Sequence, residues 1–221
     1  MNKGVYSLVL ANDIVEAVDR LAYERNTSRS NLINQILAEY LSCPTPEMRM
    51  KNIFDSVEQM IADMGSFQIQ LQPSDAMISI RSALRYRYNP SIRYVLELYR
   101  ECEPTVGELR VTTRTQSRPL IQVLTGFFEF WSDMENRVIG SYFPQGESIC
   151  RIERGRYIRE FLMPGDPAYR TDEAVGNVIS EYIGIFDSSL KNYFAGLDDI
   201  DTVCSEIEKD YRKYRKHTVI I

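Results

Sequence analysis

The first forty-odd residues constrain this chain most, because they hold too few apolar side chains to close a hydrophobic core alone. From Val5 to Leu10 the larger apolar side chains alternate with smaller ones, which predicts a short strand with Tyr6, Leu8 and Leu10 on one face. Two segments with apolar residues three and four positions apart come next, and each predicts a short amphipathic helix. A strand and two short helices leave an apolar face uncovered, so this segment is expected to need a partner.

The two predicted helices have recognisable starts and a stop. Asn12 is expected to cap the first helix, and Thr27 and Ser28 offer a cap for the second. Pro44 and Pro46 end the second helix, because proline disfavours helical backbone in the residue before it. The apolar stripes consist of Ile14, Ala17, Val18 and Leu21 in the first helix and of Leu32, Ile33, Ile36, Leu37 and Tyr40 in the second.

With its helix starts at Leu10-Ala11-Asn12-Asp13 and Ser28-Arg29-Ser30, the segment resembles a ribbon-helix-helix domain of the CopG, Arc and MetJ type. The resemblance covers about a fifth of the chain. It implies that two chains intertwine as a homodimer, or a dimer of dimers, and that their strands pair antiparallel and enter the major groove of double-stranded DNA. The implied dimer core consists of Tyr6, Leu8, Leu10, Ile14, Val18, Leu21, Ile33, Ile36 and Leu37.

The resemblance also implies which residues contact DNA. The outward strand face would meet base edges, and the start of the second helix would hold a phosphate. The two outward valines can touch a thymine methyl group but cannot make a bidentate hydrogen bond, which predicts weaker or shape-dependent base recognition. The expected base contacts are Lys3, Val5, Ser7 and Val9, and the expected phosphate contacts are Thr27, Ser28, Arg29 and Ser30.

The charge of the chain argues against non-specific coating of DNA. The chain has a formal net charge of −5, and residues 1–45 hold four basic side chains against five acidic ones. A histone-like protein would be expected to be basic. A sequence-specific repressor with a few placed contacts tolerates an acidic balance.

The remainder of the chain is long enough to bury a core of its own. The predicted division is a ribbon-helix-helix domain over 1–43, a linker over 44–47 and an α+β domain over 48–221 with an antiparallel sheet and C-terminal helices. The expected helices span 47–64, 119–136, 172–194 and 199–216. The expected strands span 67–71, 77–88, 92–100, 108–115 and 149–163.

Residues 76–120 are rich in arginine, with eight arginines against four glutamates and with interleaved tyrosines. One interpretation is an anion-binding sheet for nucleic acid or for a phosphorylated or carboxylate ligand, since arginine forks bind such groups. The other is the solvated face of a sheet, in which the arginines and tyrosines of Arg85-Tyr86-Arg87-Tyr88 point to opposite sides. The candidate anion-binding residues are Arg85, Arg87, Arg110 and Arg114.

Enzymatic chemistry finds little support in the sequence. The single histidine, His217, lies in a basic segment, where a surface position is expected. No glycine-rich phosphate loop occurs, and the four cysteines have no Cys-x-x-Cys pair, so no metal or cofactor is expected. No signal peptide and no apolar run of about 20 residues occurs, which predicts a cytoplasmic protein without a membrane span.

Two functions of different classes agree with these patterns. The first is a DNA-binding transcriptional regulator, a repressor, whose C-terminal domain mediates assembly or senses a small-molecule or protein effector. The second is a protein-interaction module, such as an antitoxin or plasmid-maintenance adaptor, in which the N-terminal segment only dimerises. A promoter footprint with and without Arg29 distinguishes the two.

Overall fold

The computed structural model describes residues 6–41, 43–70, 74–101, 103–143, 146, 150–153 and 155–221. The chain forms two compact units, an N-terminal unit from Met1 to Arg49 and a C-terminal unit from Met50 to Ile221. The described part of the N-terminal unit is helical, and the C-terminal unit combines helices with a sheet.

Two short helices, α1 (Asn12–Glu24) and α2 (Arg29–Tyr40), account for most of the N-terminal unit. α2 has its predicted cap, since the Ser28 hydroxyl oxygen accepts a hydrogen bond from the backbone N–H of Asn31. The cap predicted at Asn12 is wrong. Asn12 already lies within α1, and Ala11, which has no side-chain acceptor, occupies the N-cap position.

The strand predicted from Val5 to Leu10 is not present in the single chain. Residues 6–10 are exposed and belong to no strand, and Val5 lies outside the described residues. A two-stranded ribbon between chains obtains its hydrogen bonds from the partner's strand, so one copy offers these residues nothing to pair with. The ribbon is therefore not shown by the structure of one chain.

The segment predicted as a linker, 44–47, is partly helical. Helix α3 (Pro46–Asp63) begins inside it, and Thr45 caps the helix by accepting a hydrogen bond from the Met48 N–H at 3.2 Å. Proline favours the first position of a helix because its fixed φ fits there and its missing N–H has no intrahelical acceptor. Pro46 thus starts α3 rather than stiffening a linker.

The six strands formed by the described residues make one antiparallel sheet in the order β1-β2-β3-β4-β6-β5. Together with the helices, this sheet confirms the predicted α+β class for the C-terminal unit. The strands are β1 (Phe67–Gln70), β2 (Met77–Ala83), β3 (Ser91–Leu98), β4 (Thr105–Thr113), β5 (Cys150–Glu153) and β6 (Arg156–Leu162).

The strand predicted over 77–88 ends early, at Ala83. Tyr88 and Asn89 have φ angles of 65° and 44°, which belong to turns rather than strands. Residues 85–88 therefore form a loop, and the predicted placement of their arginines and tyrosines on opposite faces of a sheet is wrong.

Two other strand predictions differ in extent. The single strand predicted over 149–163 is the β5–β6 hairpin, whose turn contains Gly155 with φ of 76°. β4 begins at Thr105, before its predicted start at Glu108, and its register shifts between Thr105 and Gly107. The residues around this irregularity do not alternate, which is why the sequence pattern missed them.

Helices α4 (Arg118–Ile139), α5 (Asp172–Ala195) and α6 (Ile200–Arg215) confirm the predicted helices at 119–136, 172–194 and 199–216. α4 and α5 cover one face of the sheet, where Tyr157 packs against Phe128 at 5.6 Å and against Phe186 at 5.1 Å between ring centroids. We call the opposite face of the sheet the outer face. No helix among the described residues is long and apolar enough to cross a membrane.

A fully buried ion pair lies in the core of the C-terminal unit. Arg159 on β6 donates to Glu135 on α4, with 3.2 Å between Nη2 and Oε1, and neither side chain reaches solvent. Burial is the strongest single influence and lowers the pKa of Arg159, but the charge of Glu135, the neighbouring Tyr182 and Tyr157 and the hydrogen bond to Glu135 together outweigh it, so the pKa is raised. The hydroxyls of Tyr157, Tyr182 and Tyr211 complete the set of donors to Glu135.

Candidate nucleic-acid interface

The four residues predicted to hold phosphate are consecutive at the start of α2. The Asn31 side-chain amide donates to the Thr27 hydroxyl at 3.0 Å, and the Asn31 backbone N–H donates to the Ser28 hydroxyl at 3.2 Å. The backbone N–H groups of Arg29 and Ser30 lie in the first turn, where a helix supplies no carbonyl partner. The start of α2 thus presents backbone donors of the kind that bind anions.

Arg29, the predicted phosphate contact, already has an anionic partner in this unit. Its Nε and Nη2 donate to Oδ1 and Oδ2 of Asp19 on α1, each at 2.5 Å. The hydrogen bond from Arg29 lowers the pKa of Asp19, and the same bond raises the pKa of Arg29. Asp19 was not predicted from the sequence, because ten residues and a turn separate it from Arg29.

The predicted base contacts lie where a DNA-facing strand would begin. Ser7 and Val9 are exposed, and Val9 is as open as in an extended peptide. Lys3 and Val5 lie outside the described residues. The outward positions therefore remain predictions that require a second chain to form the ribbon.

The predicted dimer core divides into a buried and an exposed part. Val18 is buried together with Ala22 and Leu32, and Leu21 and Ile33 pack beside them. Neither Ala22 nor Leu32 was among the predicted core residues, although Leu32 belongs to the predicted stripe. The remaining predicted core residues keep large exposed apolar surfaces in the single chain: Tyr6, Leu8, Leu10, Ile14, Ile36 and Leu37.

The predicted anion-binding arginines do not form one site. Arg110 lies on the outer face and donates to the carboxylates of Glu97 and Glu108, so its guanidinium already has anionic partners in the single chain. Arg85 and Arg87 lie in the loop after β2, and Arg114 comes directly after the end of β4. These three side chains are exposed and make no ion pair with a carboxylate of the described residues.

A row of glutamates explains why Arg110 is occupied. Glu97, Glu108 and Glu160 are partners in register across β3, β4 and β6. Arg151 on the edge strand also contacts this row, at 3.4 Å from Glu108 and 3.1 Å from Glu160. The acidic row and its two arginines make this end of the outer face a closed ion network, which the sequence could not reveal without the strand register.

A cavity of about 590 Å³ lies in the C-terminal unit beside α5. Asp187 lies at its wall, accepts a hydrogen bond from Tyr94 at 2.8 Å and pairs with Lys191 at 2.6 Å. Burial, and secondarily the charge of Asp187, raise the pKa of Tyr94. His217 is exposed and also lines the cavity, together with residues near β1 and after α6. Because these residues are far apart in the sequence, the sequence did not predict the cavity.

Comparisons with protein-family models, with curated proteins and with solved structures found no match to this chain. The ribbon-helix-helix resemblance therefore stays an expectation drawn from the sequence of the N-terminal segment. The structure itself shows a helical N-terminal unit and an α+β C-terminal unit.

Proposed function

We propose that this protein is a DNA-binding transcriptional regulator that acts as a homodimer, or a dimer of dimers, joined through its N-terminal unit. The observation that carries the proposal is the exposure of apolar side chains on this unit. Ile14, Ile36 and Leu37 project from α1 and α2 with about half of each side chain in solvent. A second copy of the unit would cover them.

Energetics favour pairing of this unit over a solitary one. Its buried cluster contains Val18, Ala22 and Leu32. Burying one large aliphatic side chain contributes about 1.5–3 kcal/mol, whereas ordering each residue costs about 1–2 kcal/mol of backbone entropy. So small a cluster does not offset that cost for two helices, and burial between two copies supplies the missing apolar contact.

Pairing would also create the DNA-reading element. Residues 6–10 are exposed and lie outside any helix, so two copies could form an antiparallel ribbon with Tyr6, Leu8 and Leu10 over the helices. Ser7 and Val9 would then face the major groove, which admits a two-stranded ribbon. The start of α2 would receive a phosphate, and Arg29 would exchange Asp19 for it, since exposed ion pairs contribute little stability.

The C-terminal unit would assemble dimers or sense an effector. Its cavity near Asp187 falls in the size range of small-molecule sites, about 300–1,000 Å³. A regulator of this kind would act in the cytoplasm, where it reaches DNA.

The test is selection of binding sites by the purified full-length protein from a pool of random duplex DNA, with subsequent footprinting of the selected sequence. We expect a palindrome or direct repeat, as two-fold protein symmetry requires. Arg29→Gln should abolish protection, whereas Arg20→Gln, which removes the same charge from an exposed position on α1, should preserve it. A dimer that enriches no sequence would contradict the proposal.

The second candidate is a dimeric adaptor that binds another protein and no DNA. Two observations favour the adaptor: the guanidinium of Arg29 is already paired with Asp19, and residues 1–45 hold more acidic than basic side chains. The adaptor is supported if the protein is a dimer in solution and enriches no sequence from the random DNA pool.

A further inference from the structure

We infer that one end of the sheet in the C-terminal unit is a second binding surface for the phosphate backbone of duplex DNA. This arginine end is the end where β2 and β4 finish and where β3 and β6 begin. It holds seven exposed arginines that make no ion pair with a carboxylate of the described residues: Arg81, Arg85, Arg87, Arg93, Arg114, Arg118 and Arg156.

Strand register brings these side chains together. Arg81 on β2 is the direct partner of Arg93 on β3, and Thr113, which precedes Arg114, is the partner of Ile92. Arg156 precedes Tyr157, the partner of Val111 on β4. With neighbouring strands about 4.8 Å apart, the set spans roughly 15 Å from β2 to β6.

The arrangement is unfavourable without an anion. Like charges directly opposite each other on an antiparallel pair destabilise it, which applies to Arg81 and Arg93. The N-terminus of α4 also lies at this end, where the helix dipole favours negative charge, yet its first turn holds Arg118 and no acidic residue. A bound polyanion relieves both repulsions.

The loop between β2 and β3 is built to present its arginines. The ring of Tyr86 packs edge-on against Phe194 at 5.2 Å and anchors the loop. The side chain of Tyr88 is fully exposed between Arg87 and Asn89, and its φ is positive. A strained, exposed tyrosine beside arginines is the kind of side chain that donates to a phosphate oxygen.

Charge segregation selects the partner. The opposite end of the outer face carries the glutamate row, about four residues further along β3, where Arg110 and Arg151 are paired with carboxylates. The unpaired positive charge therefore lies at the arginine end, where Glu153, the register partner of Arg156, pairs with Arg151 instead. One exposed aromatic among seven arginines favours phosphate contacts over the base stacking that single strands require. The occupant is therefore a duplex backbone, recognised without regard to sequence.

The experiment measures binding of the full-length protein to a random duplex of roughly 30 base pairs over a series of KCl concentrations. Arg85→Gln/Arg87→Gln removes two loop arginines. Arg137→Gln/Arg212→Gln removes two arginines that pair with Glu208 instead, and serves as the matched control. We expect the loop variant to flatten the salt dependence by about 0.9 in slope per lost phosphate contact, and the control variant to change it little.

A second variant separates folding from binding. Arg81→Gln should raise the melting temperature without DNA, because it removes the repulsion from Arg93, and should lower DNA affinity. Equal salt slopes for the loop and control variants would overturn the inference. So would arginine-dependent binding to phosphatidylserine vesicles with unchanged DNA binding.

The outcome is independent of the proposed function. Arg29→Gln tests the N-terminal unit. If this substitution did not affect binding to the selected DNA, the proposed function would fail, but the salt slopes of the loop variant would still test the arginine end. Conversely, a specific footprint that depends on Arg29, with no effect of Arg85 and Arg87, would preserve the regulator and remove this surface.

Discussion

Arg29 and Asp19 form a two-pronged ion pair that joins the start of α2 to the middle of α1, with both oxygen–nitrogen distances at 2.5 Å. The residue predicted to hold a DNA phosphate thus holds a carboxylate in the free chain. Both side chains remain about half exposed, so a phosphate can compete for the guanidinium. We expect Asp19 to occupy the guanidinium of Arg29 until a DNA phosphate displaces it.

The acid titration of Asp19 should report this pair. The hydrogen bond from Arg29 lowers the pKa of Asp19 below its usual 3.8. A carboxyl group with a lowered folded pKa stabilises the fold above its unfolded pKa, and this contribution is lost as the pH falls through the folded value. An NMR titration should show Asp19 protonating below the usual range, and Arg29→Gln should return it there.

Asp19→Asn should increase affinity for the selected DNA. The substitution frees the guanidinium and removes a negative charge near the phosphate, so binding should be tighter. The salt slope should steepen by up to about 0.9 if Arg29 gains a phosphate contact. Glu16→Gln, which removes an equal charge from another exposed position on α1, is the control for net charge. Weaker binding by Asp19→Asn would mean that the pair positions Arg29 for DNA.

Leu8→Asp should separate the dimer and abolish DNA binding together, because it places a charge in the predicted apolar interface. Ser7→Ala should leave the dimer intact and weaken DNA binding only, since Ser7 is predicted to face the groove. Asn34→Asp, an exposed position on α2, controls for the added charge. Sedimentation measures the mass of each variant, and a folded wild-type monomer at micromolar concentration would end the ribbon-helix-helix interpretation.

Glu135→Gln should destabilise the C-terminal unit by about 3–5 kcal/mol, the usual cost of leaving one member of a buried ion pair without its partner. Arg159 has no access to water, so its charge cannot be solvated after the change. Tyr211→Phe removes only one long hydrogen bond to the same carboxylate, at 3.4 Å, and should cost about 1 kcal/mol. Denaturant unfolding monitored by fluorescence of Trp131, which lies beside this cluster, measures both.

Gly107→Ala should loosen the pairing of β3 with β4. A Cβ atom at this position would overlap the carbonyl oxygen of Glu97 and come within 3.0 Å of the Leu98 Cα, both of which are backbone atoms that cannot turn away. Overpacking of this kind costs about 1–3 kcal/mol. Gly165→Ala, where a Cβ meets no atom within 4 Å, should have little effect on the melting temperature.

Much of the secondary structure could be predicted because local pattern determines it. Helices α3 to α6 agree with apolar spacing and caps, and β1 and β3 lie within two residues of their predicted limits. Failures occurred where backbone geometry overrides pattern. The side chains of the loop at Tyr88 alternate in the sequence as those of a strand do, although the loop is not a strand. In β4 the alternation of side chains is interrupted at Gly107.

The candidate sites were predictable only in part. The start of α2 was found because caps and anion-binding donors are adjacent in sequence. The partners of Arg29 and Arg110 were not found, since Asp19 lies across a turn and Glu97 across a strand pair. Pairs of this kind depend on register, which a single sequence does not determine.

The sequence alone determined that the N-terminal segment has too few apolar side chains to close a hydrophobic core and that the rest of the chain is α+β. It could do so because hydrophobic periodicity is a local property. Only the tertiary structure decided which arginines form ion pairs. It closed Arg110 in a glutamate row and left Arg81 opposite Arg93, because cross-strand neighbours are set by the register of the whole sheet. That register turns a scattered arginine composition into one charged end.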